Sequence, residues 1–262
     1  MVKMDLIIFL VIIFGLMWGS FLSVVIWRVD DLRSIIAGRS KCPHCEQKIK
    51  WYDLVPLISY GILRGRCRQC GAKISSLYPT IELISAVVAF LVYQKFGLSW
   101  EALIVWLIIS TMVVTLGYDA IHMLVVDQVV WIGIVLVVVY QLVAKTPDTS
   151  WLAMGSTLGY GLLIGLGLPL LLVLMGRGKW MGEGDVMLGA MIGLFVGYPN
   201  IIVAYVIAFI TGALFGISLL IAARKNLKDA VAFGPFLVLG SIVAFFYGRQ
   251  LIDWYLGIGL VG

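Results

Sequence analysis

The sequence predicts an all-α polytopic membrane protein, with about eight transmembrane helices and a small polar domain between helices 1 and 2. Three observations carry that prediction. Hydrophobic residues make up 62% of the chain and charged residues 13%, against about 45–50% apolar in soluble domains. The apolar residues gather into eight runs, at about 5 to 27, 79 to 95, 99 to 118, 125 to 144, 152 to 175, 184 to 198, 200 to 222 and 232 to 252. A spanning helix needs roughly 20 such residues, and only the sixth run is clearly short, which leaves room for a partly re-entrant segment. The one sizeable polar stretch, 28 to 78, lies between the first two runs.

Eight spans leave both termini on one side, and the distribution of Lys and Arg decides which side that is. The polar stretch holds Arg28, Arg33, Arg39, Lys41, Lys48, Lys50, Arg64, Arg66, Arg68 and Lys73. The same face receives Arg177, Lys179, Arg224, Lys225 and Lys228, which makes 15 of the 19 basic residues. Lys3, Lys95, Lys145 and Arg249 fall opposite. The polar stretch is therefore expected in the cytoplasm and the termini outside. Orientation accounts for the net charge of +5, and no nucleic-acid partner is expected. The N-terminal run is longer than a signal-peptide core, carries Asp5 at its start and passes through Gly19-Ser20-Phe21-Leu22 without a cleavage pattern, so it reads as a retained helix.

Taken in order, span 1 aligns Gly15, Gly19 and Ser23 on one helix face, a pattern for close helix packing or for a substrate-facing groove. The stretch 28 to 78 contains all four cysteines, as Cys42-Pro43-His44-Cys45 and Cys67-Arg68-Gln69-Cys70. Two C-x2-C knuckles at this separation suit a closed, structural tetrahedral zinc site; two disulfides or four free thiols are the alternatives, and a cytoplasmic setting disfavours disulfides. His44 reads as a surface residue. Trp51, Tyr52, Pro56, Leu57, Ile58 and Tyr60 form an apolar patch between the knuckles that fits the membrane surface or a ligand. Span 2 opens with Pro79 in its first turn and Glu82 close behind, where the helix dipole favours an anion.

Span 3 ends at Gly117-Tyr118-Asp119, where a carboxylate meets the negative end of its own helix and has no local structural reward. A residue placed at a loss is a functional candidate. Asp127 is well placed as the N-cap of span 4, and His122 reads as interfacial. Span 5 is rich in glycine, and span 6 carries Gly189, Gly193 and Gly197 at every fourth position, so a close-packed bundle is expected. Gly182-Glu183-Gly184-Asp185 opens span 6, with Asp185 facing the positive helix end as catalyst or cap, and with glycines beside it where an extended peptide can approach. Span 8 begins at Phe233-Gly234-Pro235-Phe236 on the same face.

Together these residues resemble the prepilin peptidases of type IV pilus and type II secretion systems, intramembrane aspartic proteases. The ordered set is Gly19-Ser20-Phe21-Leu22 with Arg28, the double C-x2-C enclosing Trp51-Tyr52-Asp53 and Pro56-Leu57, then Tyr78-Pro79 with Glu82, Asp119 with Asp127, Gly182-x-Gly184-Asp185, and Phe233-Gly234-Pro235-Phe236. The resemblance implies Asp119 and Asp185 as the catalytic pair, with Gly182, Gly184, Gly234 and Pro235 beside the substrate. Its substrates are prepilins or pseudopilins, cut after a short basic leader at the cytoplasmic face of the bacterial inner membrane. It also implies N-methylation of the new N-terminus with S-adenosylmethionine, while the spacing of Cys42, Cys45, Cys67 and Cys70 makes them the expected structural zinc ligands. The methylating site is expected between residues 28 to 78 and the membrane surface, since no glycine-rich nucleotide motif is present. Val126 stands where the family has Pro before Asp127, and Ala232 replaces a further Pro.

The expected division is 1–27 as the first membrane helix, 28–78 as the cytoplasmic tetracysteine domain and 79–262 as the peptidase domain. Two carboxyls sharing one proton supply a base for water and an acid for the scissile carbonyl; the dipole argument gives Asp185 the first role and Asp119 the second. A basic leader needs anions on a face that is itself basic, and Glu46, Asp53, Glu82 and Glu183 are those on offer. The competing class is a transporter using the two aspartates as a proton relay beneath a zinc-stabilised cap. It predicts an inverted repeat, and none is visible.

Overall fold

The computed structural model describes residues 2–144, 150–222 and 231–259. Lys145, Arg224, Lys225 and Lys228 of the orientation argument lie outside the described residues. The described residues are mostly helical, and the rest are turns and irregular segments with two isolated bridges, Lys41 with Lys48 and Arg66 with Lys73. The helices are α1 (Val2–Arg28), α2 (Leu32–Ala37), α3 (Ile58–Ile62), α4 (Leu77–Phe96), α5 (Trp100–His122), α6 (Asp127–Val143), α7 (Trp151–Gly176), α8 (Glu183–Val196), α9 (Asn200–Ile221) and α10 (Gly234–Gly259), with a 3-10 turn at Trp51–Leu54. Every expected apolar run is a helix. Six of them (α1, α4, α5, α7, α9 and α10) are long and apolar enough to cross a membrane. The 14 residues of α8 extend only about 21 Å at 1.5 Å per residue, short of a hydrocarbon core of about 30 Å.

The chain divides into two compact units, Met1–Gly117 and Tyr118–Gly262. In the first, α1 lies along α4 at close range: a side chain added at Gly15 would sit 2.7 Å from the Ala86 Cα, and one at Gly19 would sit 2.6 Å from the Glu82 Cα. The small-residue face of α1 is thus a helix contact. The Trp18 indole N–H donates to Ser110 Oγ of α5 at 2.9 Å, and Trp18 and Phe14 both pack on Trp106.

In the second unit α8 is the buried helix, packed by α6, α7, α9 and α10, and Leu188 to Gly193, Phe195 and Val196 are all buried. A helix enclosed by protein has no need to span lipid alone. Its glycines interlock with those of α7: Gly161 lies against Gly193 and Gly197, and Gly165 against Gly189 and Gly193. Side chains at Gly161, Gly165 and Gly193 would meet backbone, not yielding side-chain ends. The Gln141 amide of α6 donates to Leu194 O at 3.0 Å, and Phe195 stacks on Phe245 of α10 at 4.4 Å. Outward residues such as Leu163, Leu174, Ile210 and Leu214 remain exposed, as a lipid-facing surface requires.

This ladder distinguishes two kinds of glycine in one helix. Nothing lies within 4 Å of a Cβ at Gly159, whereas at Gly165 the Gly193 Cα would be 2.8 Å away. Unfolding in detergent is expected to show Gly165→Ala losing about 1–3 kcal/mol by overpacking, while Gly159→Ala changes stability by less than about 1 kcal/mol, on the stabilising side. Equal losses at both positions would be incompatible with the ladder.

Candidate active site and metal centre

Asp119 and Asp185 both belong to the second unit, and both are buried, at 5% and 7% exposure. Asp119 lies in the last turn of α5, and its Oδ2 accepts the Gly234 N–H at 2.9 Å. Gly234 is the first residue of α10, so the carboxylate rests on the positive end of a different helix. Pro235 has no N–H, and Phe236 and Leu237 both donate to Phe233 O, which leaves Gly234 as the donor of that turn aimed at Asp119. A larger residue there would push the carboxylate away, since a Cβ would lie 2.5 Å from Asp119 Oδ2. Asp185 is the third residue of α8, and its Oδ2 accepts the Gly182 N–H at 3.3 Å, the return half of a capping box. The two carboxyls are electrostatic neighbours, the charge of Asp119 being felt at Asp185.

This geometry corrects the dipole reasoning. Asp119 does have structural support, supplied in trans by α10, so the helix ends no longer assign acid to one aspartate and base to the other. The glycines separate as well. Gly182 is exposed, with only the Asp185 carboxylate near a Cβ there. At Gly184 the space is taken by Val125, whose Cβ would be 2.6 Å away. That contact ties the start of α8 to the residues before α6. Pro235 is half-buried in the first turn of α10. Val126, not Asp127, is the N-cap of α6; Asp127 is its exposed first residue, and His122 is exposed with its ring 4.4 Å from that of Tyr118.

In the first unit, the two C-x2-C segments fold into equivalent knuckles. Cys42 N–H donates to Gln47 O and Glu46 N–H to Cys42 O; likewise Cys67 N–H donates to Ala72 O and Gly71 N–H to Cys67 O. The matching residues Glu46 and Gly71 both take the left-handed conformation, at φ 56 and φ 71. All four Sγ atoms lie within 4.8 Å of one another, with Cys42 and Cys70 at 3.8 Å. A tetrahedral ion with metal–sulfur bonds of about 2.3 Å has sulfur–sulfur edges of about 3.8 Å, so a thiophilic metal fits. The N–H groups of Cys45 and His44 bring the Cys42 thiol down to about 6 against its desolvation. At Cys70 the Ala72 N–H acts downward too, but desolvation and the sulfurs of Cys67, Cys45 and Cys42 outweigh it and push the thiol up to about 11. Four sulfurs this close ionise together only when a cation replaces their protons. His44 is exposed on the first knuckle.

Asp53 and Glu82 are already engaged. Arg68, from the second knuckle, grips Asp53 through Nε and Nη2 at 2.7 to 3.2 Å and holds its carboxyl below the usual range. Glu82 Oε2 accepts the Leu57 N–H at 2.8 Å. Leu57 sits at φ 57, ψ −47, with Ile58 N–H donating to Pro56 O, a γ-turn that is strained for a leucine. Glu82 is the sixth residue of α4, beyond the first turn, so the γ-turn and not the dipole is its physical reason. Glu46 and Glu183 remain exposed. In the apolar patch Trp51, Ile58 and Ile62 are 80%, 61% and 69% exposed.

Comparison with known proteins adds the following. The model of the bacterial peptidase A24 N-terminal domain matches residues 13–96, and that of the type IV leader peptidase family matches residues 104–217. A prepilin leader peptidase/N-methyltransferase of Bacillus subtilis (strain 168) is 30% identical over 250 residues, covering 95% of this chain and 97% of the relative. One from Legionella pneumophila is 30% identical over 273 residues, covering 94% and 93%. One from Pseudomonas aeruginosa is 26% identical over 273 residues, covering 94% and 92%. No solved structure matches.

Metal analysis of the purified chain is expected to find about one zinc or similar ion per molecule, the stoichiometry of a site built from four cysteines. A strong chelator should release it and open residues 41–73 to protease. A metal-free protein with two disulfides would rule the site out.

Proposed function

The chain belongs to the type IV leader peptidase family, and on that premise we propose that it is an intramembrane aspartic endopeptidase with Asp119 and Asp185 as its dyad. Its substrates are type IV prepilins or pseudopilins, and the bond cut joins the basic leader to the apolar helix. The observation that carries this reading is the pair of buried, neighbouring carboxyls, each supported through Oδ2 by one backbone N–H at a helix start. Two carboxyls in such a site share one proton. The ionised member takes a proton from water as its oxygen adds to the scissile carbonyl, and the protonated member donates to the carbonyl oxygen. Collapse of the tetrahedral intermediate breaks the C–N bond, with a proton passing to the leaving amine. Because the backbone support is alike at the two aspartates, either serves in either role, as successive steps require.

The substrate must be extended at the cut. Gly182 is exposed beside Asp185 and fits a strand-like approach of peptide backbone, while Gly234 and Pro235 keep the opposite carboxyl in register. Glu183 is the exposed anion next to the dyad in sequence and suits the basic leader. Arg177 and Lys179 lie shortly before Asp185 in the chain, and the positive-inside rule supports the reading that this end of the bundle lies at the cytoplasmic face of the inner membrane.

The tetracysteine segment, residues 28 to 78, is proposed as a structural zinc domain on Cys42, Cys45, Cys67 and Cys70, with the ion cross-linking two knuckles too small to hold a core. N-methylation of the new N-terminus, with S-adenosylmethionine as methyl donor, is the second proposed activity and rests on the names of the relatives. Among the described residues no side-chain set singles out a site for that cofactor, and no step is derived through it. The family match leaves the transporter reading without support.

Co-expression with a prepilin, followed by mass spectrometry of the pilin, tests both activities. Wild type should remove the leader and add one methyl group, while Asp119→Asn and Asp185→Asn should leave the leader uncut, a loss of at least about 1,000-fold for removal of a catalytic group. Near-normal cleavage by either variant would exclude the dyad.

A further inference from the structure

Pro169 lies inside α7, and a proline there has no N–H for the carbonyl four residues back. That carbonyl is Gly165 O. It is buried within the ladder, where an unpaired acceptor is costly. The Tyr205 hydroxyl, from α9, donates to Gly165 O at 2.5 Å. The same hydroxyl is wedged against α8: a Cβ at Gly189 would lie 2.7 Å from Tyr205 Oη and 3.0 Å from Pro169 Cγ. Gly189 is one turn beyond Asp185 on the same helix face. Tyr205 itself is 5% exposed. Three helices therefore meet at one hydrogen bond directly below a dyad carboxyl.

We propose that Tyr205 is a positioning residue for Asp185: its hydroxyl replaces the helix bond that Pro169 removes from Gly165 and thereby fixes the α7–α8–α9 junction on which Asp185 stands. The gap left by the proline creates the need for a donor, and the donor comes from α9, whose hydroxyl also abuts Gly189 of α8. The inference rests on Asp185 being catalytic, as proposed above.

Its logic gives a rescue that a generic packing role does not. Removing the hydroxyl orphans Gly165 O, but an alanine in place of Pro169 supplies the missing N–H from within α7. The test is a cycle of Tyr205→Phe, Pro169→Ala and the double variant, with cleavage of a purified prepilin followed in detergent or proteoliposomes beside wild type and Asp185→Asn. With Pro169 in place, Tyr205→Phe should lower kcat about tenfold, the scale of about 1.4 kcal/mol in the barrier, with KM within about twofold because substrate-contacting groups are untouched. In the Pro169→Ala background the same change should cost less than about twofold. Melting temperatures show whether each variant is folded; if Tyr205→Phe alone fails to fold, recovery of fold and cleavage together in the double variant still supports the proposal. Equal losses in both backgrounds, or full kcat for Tyr205→Phe, would overturn it. A wild type that cuts no prepilin would sink the peptidase reading instead.

Discussion

Two buried carboxyls in one helical unit must each be supported without being neutralised by a cation, and helix N-termini meet that requirement. At Asp185 the support is local, since the residue occupies the third position of its own helix and its side chain reaches back to Gly182 N–H. At Asp119 the support is borrowed from α10, whose first turn has Gly234 N–H directed at the carboxylate and proline next to it. Backbone amides stabilise an ionised carboxyl while leaving its second oxygen open to chemistry, as a salt bridge to Arg or Lys would not. Much of the second unit follows from holding these helix starts in place.

Holding α8 in place is the harder part, because it is short and surrounded. Glycines at 161, 165, 189 and 193 bring α7 and α8 within backbone contact, which maximises dispersion where no hydrophobic driving force separates helix from lipid. Close approach carries its own polar problem, since Pro169 exposes a carbonyl inside the contact. The Tyr205 hydroxyl resolves it. Packing, backbone satisfaction and the placement of the Asp185 carboxyl converge on a few residues within two turns of Asp185.

The first unit solves a different problem by different means. Residues 28 to 78 have too few apolar residues facing one another for a core, and they are organised by point contacts: four sulfurs in tetrahedral reach, an Asp53–Arg68 fork between the knuckle segments, and Glu82 anchoring the strained turn at Leu57. The exposed Trp51, Ile58 and Ile62 remain outside these contacts.

The sequence alone was enough for the helices and the cysteine cluster, and it singled out both aspartates as candidates. Apolar runs of spanning length are stable only as helices in lipid, C-x2-C spacing is a local property of a tight knuckle, and a carboxylate at the end of an apolar run stands out against its surroundings. What it could not supply was every relation between distant segments. Asp119 was read as lacking support because its partner, Gly234, lies 115 residues away. Glu82 was given to its own helix dipole although it serves Leu57, and Gly184 was read as open to substrate although Val125 fills the space. Tyr205 carried no signal at all, since a tyrosine in an apolar helix is ordinary until a proline two helices away leaves a carbonyl without its donor. Local periodicity and residue chemistry are written along the chain, whereas the pairing of a hydrogen-bond donor with an acceptor is decided only when tertiary packing brings the two together.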